Sequence, residues 1–232
     1  MLVSTTTVLV NKATAAQLAA ANSLFQNVDI TAEQLAQHVQ RGHAFCAQHK
    51  NHWRKSANFT GAGFLAADID HGLPLEAAVA DPFVQQYASF IYTTPSHTDS
   101  VPRFRIVCEL ERPITDAAIM TAGLTGLIVR FGADDSCKDA CRLFYGSSKS
   151  RLIMFGNTLP ETQLQQLVLR AGERSVMSDS TGEESIRRRS ATRSKLDLPS
   201  DTPVRLASGE WLSLRTIPNQ TQVHCQIGRA HV

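Results

Sequence analysis

The chain has 232 residues, 43% hydrophobic and 19% charged, with a formal net charge of +2. That balance describes a globular protein able to bury one good core with an appendage, and the small charge excludes arguing for a nucleic-acid partner from net charge alone. No apolar run approaches the roughly 20 residues that span a bilayer, no basic-then-apolar leader opens the chain, and five unpatterned cysteines suit a reducing cytoplasm without membrane attachment.

In chain order, alanine-rich Ala13 to Phe25 predicts a helix. A second helix is better signalled: Asp29 and Thr31 can cap it, Gln34 stands three residues after Thr31 as in a capping box, and Gly42 lies just past its end. The polar, basic stretch Gln48 to Ser56 leads into a short apolar run, Gly63 to Asp70, that reads as a strand ending at a turn by Gly72. Leu75 to Val79 predicts a short helix ended by Asp81-Pro82. Phe90 to Thr94 and the alternating Arg103 to Leu110 predict two strands joined by the loop Pro95 to Pro102 as an antiparallel hairpin. In the second strand, Phe104, Ile106, Cys108 and Leu110 share one face, and Arg103, Arg105, Val107 and Glu109 the other. Pro113 breaks the pattern, Thr115 to Arg130 predicts an amphipathic helix with Asp116 near its start, Asp134 to Cys141 a polar turn, Arg142 to Tyr145 a short strand, and Leu159 to Arg170 a last helix. Helices and strands interleaved around a hairpin give an α+β class with a mainly antiparallel sheet.

After Ala171 the composition shifts. Residues 173–203 hold few apolar side chains and the basic run Arg187-Arg188-Arg189, and read as a flexible linker able to make nonspecific phosphate contacts. The β-like segment Val204 to Leu214, turning at Ser208-Gly209, opens a downstream region, 204–226, too short to be a domain. The last six residues, 227–232, read like a translated sequencing-adapter oligonucleotide, so the expectation is a truncated chain with a further domain missing.

Asp68 and Asp70, at the end of the Gly63 strand, are the most informative pair. Residues two apart on a strand project to the same side, so both carboxylates leave the sheet together. Two like charges that close raise each other's pKa unless a cation lies between them, and Mg²⁺ takes carboxylate oxygens while keeping positions for substrate phosphates. The alternative is a surface turn with two solvated aspartates. Cys46, His49 and His52, with Cys137 and Cys141, raise a zinc reading, but their spacing does not match the usual structural patterns.

Further residues extend the pair. Ala67-Asp68-Ile69-Asp70, Pro95-Ser96-His97 and Ala133-Asp134 occur in that order, with the basic segment Arg142 to Lys149 following. Over roughly residues 25 to 172 the chain resembles the archaeo-eukaryotic primase superfamily, particularly phage and plasmid primase-polymerase domains, whose motifs are an hDhD pair on a strand, an sxH and a later hD before a basic strand. The resemblance implies an RNA-recognition-motif-like module fused to a second small α/β unit, together filling residues 1–172, with the active site in the cleft between them. It implies template-dependent nucleotidyl transfer with two Mg²⁺ or Mn²⁺ ions held by Asp68, Asp70 and Asp134. Ser96 and His97 would contact the triphosphate, and Arg142 and Lys149 would neutralise phosphate charge. Asp135 competes with Asp134 for the third place; the apolar Ala133 before Asp134 favours the latter. Arg103 and Arg105 would contact template or phosphate, or form a wet sheet face. Implied partners are single-stranded DNA template, nucleoside triphosphates and a helicase domain or subunit. Two other readings stand beside this one: a metal-dependent nuclease using the same acids, and a noncatalytic single-stranded-DNA-binding replication module.

Overall fold

The molecule is described here by a computed structural model covering residues 1–172 and two short strands, 203–205 and 211–213. The chain divides into two compact units, Met1–Ser178 and Asp179–Val232. In chain order the first contains β1 (Leu2–Val10), α1 (Ala15–Ala21), β2 (Gln26–Asp29), α2 (Ala32–Gln40), β3 (His43–Cys46), β4 (Gln48–His49), β5 (Phe59–Ile69), α3 (Leu75–Ala80), α4 (Pro82–Tyr87), β6 (Phe90–Thr93), β7 (Phe104–Ile114), α5 (Ala117–Phe131), β8 (Leu152–Met154), β9 (Thr158–Leu159) and α6 (161–172). The second contains an antiparallel pair, β10 (Pro203–Arg205) and β11 (Trp211–Ser213). The expected turn at Ser208-Gly209, the linker arginines and the 227–232 segment lie outside the described residues.

Two sheets form. The larger runs β4-β5-β7-β6-β8, with β9 added parallel to β7; the smaller runs β2-β1-β3. All pairings but β7 with β9 are antiparallel, so the α+β class with a mainly antiparallel sheet holds. β5 is the axis of the larger sheet. It is flanked by β4 and β7, and from Gly61 to Ile69 every residue is buried, which explains a continuous apolar run rather than an alternating one. α5 lies close on this strand because Gly123 has no side chain: a Cβ there would come within 3.1 Å of Leu65. Asp116 starts α5 by accepting the N–H groups of Ala118 and Ile119 through its carboxylate, and Gly132 ends it at φ 63°, a left-handed conformation natural to glycine. The main core joins β5, β6, β7, α2 and α5. A smaller cluster of Leu9, Ala21, Phe25, Ala44, Cys46 and Leu143 holds the N-terminal elements together.

Most predicted elements appear with shifted ends. α2 has the expected capping box, Thr31 with Gln34, and β6 and β7 form the expected hairpin, pairing Phe90 with Val107 through Thr93 with Phe104. Four differences have physical causes. β1 is not predicted, although Thr5, Thr6, Thr7, Val8 and Val10 are β-branched residues suited to a strand. β7 passes through Pro113 to Ile114, because the β5–β7 register shifts between Ala62 and Phe64 and the irregularity accommodates a residue without an N–H donor. Leu159 belongs to β9, so the last helix begins later than expected. Arg142 to Tyr145 is no strand: it makes one bridge, Phe45 with Phe144. The chain then turns away, since the Ser147 N–H donates to the Val39 carbonyl at the end of α2, satisfying a helix terminus.

Candidate active site

Strand register creates the central contact. Asp68 stands directly opposite Arg105, and Ile69 opposite Phe104. Both polar residues are buried, Asp68 at 4% and Arg105 at 8% exposure, and the Arg105 Nη2 donates to Asp68 Oδ2 at 2.9 Å. Arg105 Nη1 also donates to the Tyr92 hydroxyl (3.2 Å) and the Tyr145 carbonyl (2.6 Å), with the guanidinium 5.7 Å from the Tyr92 and Phe144 ring centres. Burial works against its charge, but Tyr92 and Asp68 outweigh burial and raise its pKa further. Burial pushes the Tyr92 hydroxyl up to about 12, so it stays protonated and donates to the Tyr145 carbonyl at 3.0 Å. The reading of Arg105 as part of an exposed, wet face is therefore corrected: the strand is buried on both sides here, and the guanidinium is committed inside. Asp68 Oδ1 is buried and has no hydrogen-bond partner.

Asp70 lies just past the end of β5 and is partly exposed, with Arg103 loosely beside it at 3.9 Å. Asp68, Asp70, Ser96, Arg103, Arg105 and Arg142 line one hollow of about 180 Å³. A second hollow, of about 390 Å³, is lined by His97, Ser147, Ser148 and Lys149; Asn11, Thr94 and Pro95 border both. The loop after β6 thus sends Ser96 to one hollow and His97 to the next. His97 Nδ1 accepts the Arg103 backbone N–H at 3.0 Å. An N–H can only donate, so Nδ1 accepts here and in the neutral ring Nε2 carries the hydrogen.

Asp134 reaches the same region by its backbone: its N–H donates to the Asp68 carbonyl at 2.9 Å. Its side chain is turned to the short 3₁₀ turn Asp135–Lys138, which it caps. It accepts the Ser136 N–H at 2.9 Å and the Ser136 hydroxyl at 2.6 Å. Those two bonds hold its pKa below the ordinary carboxylate value, with a smaller contribution from Arg142 at 3.9 Å. Asp135 instead pairs with Lys138 at 3.1 Å on the surface, so of the two acids Asp134 is the one joined to Asp68. Between Asp68 and Asp134 sits the buried Cys137 thiol, 3.8 Å and 3.6 Å from their Oδ2 atoms. Burial and the Asp68 charge raise its pKa to about 12, so it is a neutral spacer between two carboxylates.

Among the described residues, no group of three His, Cys, Asp or Glu side chains is arranged to hold a metal ion. The donor chemistry suits a hard divalent cation in part. Asp68 and Asp70 line one hollow, and Asp68 Oδ1 is a buried oxygen without a partner. The arrangement does not close a three-acid cage, because Asp68 Oδ2 is bonded to Arg105 and Asp134 to Ser136.

Tyr92, Tyr145, Asn11 and Lys12 also belong to this region and are not anticipated from the sequence; Cys137 is expected beside the polar turn but not between the two acids. Asn11 and Lys12 follow a strand that pattern reading overlooks, and Asn11 Oδ1 accepts the Ser148 N–H at 2.8 Å, tying the N-terminal sheet to the Lys149 loop.

The zinc candidates pack differently. His49 is fully buried, with Cys141 Sγ 2.9 Å from Nε2 and Cys46 Sγ 4.0 Å from Nδ1. The two sulfurs flank opposite ring nitrogens, whereas one zinc ion binds one nitrogen of a given imidazole. His52 accepts the Asn27 N–H through Nδ1. Burial lowers the His49 pKa to about 4 and raises that of Cys141 to about 11, so a neutral thiol meets a neutral ring. In the unfolded chain this histidine titrates near its ordinary value of about 6.5. Between those values the unfolded state binds the extra proton, so stability falls as pH drops from about 6.5 toward about 4. Denaturant titrations across that range should show the decline, and His49→Gln should flatten it; equal slopes in both proteins contradict the buried neutral ring.

No helix among the described residues is long and apolar enough to cross a membrane. No family model matches the sequence, and no curated protein matches it. Among solved structures, the chain is similar to the primase-polymerase (PrimPol) AEP domain of cyanophage S-2L. The identity is 12%, the TM-score 0.45, and the match covers 72% of this chain and 88% of that one. It is also similar to the crystal structure of primase RepB′, at 13% identity and a TM-score of 0.40, covering 83% of this chain and 63% of that one.

Proposed function

We propose that this chain carries a primase-polymerase catalytic domain of the archaeo-eukaryotic type within residues 1–172, transferring nucleotides from nucleoside triphosphates onto a 3′-hydroxyl under direction of a single-stranded DNA template. One observation carries the proposal: the acids Asp68 and Asp70 share a hollow with Ser96, Arg103 and Arg142, and this hollow adjoins one lined by His97 and Lys149. Hydroxyl, imidazole, guanidinium and ammonium groups beside paired acids suit a triphosphate.

In this reading Asp68 and Asp70 would hold Mg²⁺ or Mn²⁺, with Asp134 joining them if its carboxylate left Ser136, and ions bound there would supply activation of the attacking hydroxyl and charge stabilisation of the leaving pyrophosphate. The protein's own groups bind and orient. His97 donates from Nε2 to a phosphate oxygen, with its ring angle fixed by the Arg103 N–H. Arg142, partly exposed and near Asp134, and Lys149 offset the phosphate charge that grows in the transition state. Arg103, 40% exposed in its side chain, is placed to touch template or phosphate, a role Arg105 cannot share while it is bonded inside.

Replacing His97 with Ala tests the triphosphate role separately from chemistry at the acids. Affinity for a nonhydrolysable nucleoside triphosphate should fall about tenfold, as expected for one charge-assisted hydrogen bond, while single-stranded DNA binding stays within twofold. Isothermal titration of both ligands reads this. Unchanged triphosphate affinity removes His97 from the site and favours a nuclease, which has no need of a triphosphate contact.

A further inference from the structure

Asp68, the better buried of the paired acids, is already neutralised by the protein itself. We propose that Arg105 acts as a built-in counter-cation, a positioning residue that leaves Oδ1 as the unpartnered oxygen of Asp68 for a divalent cation and keeps cation binding weak until a triphosphate is bound. The inference rests on the nucleotidyl-transfer reading and deepens it.

Four observations support it. The β5–β7 register places Arg105 opposite Asp68, so the pair is a consequence of strand alignment rather than of side-chain drift. Arg105 has little room to swing away, because the buried Tyr92 and the Tyr145 carbonyl hold its other nitrogen. The opposite oxygen of the same carboxylate, Oδ1, is buried and unpartnered. The second acid differs: Asp70 and its neighbour Arg103 are 3.9 Å apart and exposed by 38% and 40%. One acid is thus locked and the other loose.

The consequences follow from charge. With Arg105 on Oδ2, chelation of one cation through both oxygens of Asp68, or bridging of two, has to compete with the ion pair. The Asp68–Arg105 pair contributes no net charge, so a lone cation is attracted mainly by Asp70. A triphosphate supplies the missing negative charge, and cation and nucleotide then bind cooperatively, each tightening the other by the same factor.

Mn²⁺ binding followed by electron paramagnetic resonance, with and without a nonhydrolysable triphosphate, tests this on the whole chain. Wild-type protein should bind Mn²⁺ weakly alone and on the order of tenfold more tightly with the triphosphate. Arg105→Met removes a unit charge a few ångströms from the acid and should tighten Mn²⁺ binding without nucleotide by on the order of tenfold or more. Arg105→Lys keeps the charge and should stay near wild type. Tyr92→Phe removes one anchor of the guanidinium without emptying the core, so it should shift Mn²⁺ affinity in the same direction as Arg105→Met and carries the test if that variant fails to fold. Affinity without nucleotide that is unchanged or weaker in Arg105→Met, or unchanged in Tyr92→Phe when that variant carries the test, overturns the counter-cation role. Mn²⁺ and triphosphate binding that is indifferent to Asp70→Asn overturns the parent reading instead.

Discussion

Asp70→Asn should remove template-dependent nucleotide incorporation by on the order of 10³-fold, while the melting temperature stays within about 1 °C of wild type. Asp70 is partly exposed and its nearest cation, Arg103, is loosely placed at 3.9 Å; exposed pairs of this kind contribute about 0–1 kcal/mol to stability. Its part in chemistry is far larger. Losing a carboxylate that holds a catalytic cation forfeits several kcal/mol of charge stabilisation, and each 1.36 kcal/mol is about tenfold in rate. Steady-state incorporation and a thermal melt on the same preparation measure both. Incorporation within tenfold of wild type removes Asp70 from the catalytic set.

Asp68→Ala should behave differently, losing activity and stability together. Removing the carboxylate leaves Arg105 charged, buried and without its counter-ion. Breaking one side of a buried pair costs about 3–5 kcal/mol, which for a domain of this size lowers the melting temperature by roughly 10 °C. Asp68→Ala is accordingly an ambiguous probe of catalysis, and Asp70→Asn the informative one. A melting temperature unchanged by Asp68→Ala means the ion pair with Arg105 contributes little to the fold.

The hydrophobic pattern carries most of the fold. Thr31 and Gln34 mark the start of α2, the Phe90 and Arg103 segments mark the hairpin, and Asp116 marks the start of α5, because caps and strand periodicity are local signals. What the pattern misses depends on partners far along the chain. Arg105 looks like an exposed charge until Asp68 is placed opposite it. Arg142 to Tyr145 looks like a strand, but only Phe144 finds a partner, Phe45. Of the site, Asp68 and Asp70 are legible from their spacing of two on a strand, and the placement of Ser96 and His97 at two adjoining hollows agrees with their position in the hairpin loop. The commitment of Asp134 to Ser136, and the Cys137 thiol between two acids, are settled by side-chain geometry that no spacing reveals.

The most direct measurement is synthesis on a single-stranded DNA template with labelled nucleoside triphosphates, with and without a primer, in Mg²⁺ or Mn²⁺, while template length is followed in the same lanes. Labelled products whose sequence complements the template should form only when a divalent cation is present and should be absent with Asp70→Asn. Cation-dependent shortening of the template with no labelled product, or binding to DNA with neither, would contradict the nucleotidyl-transfer reading.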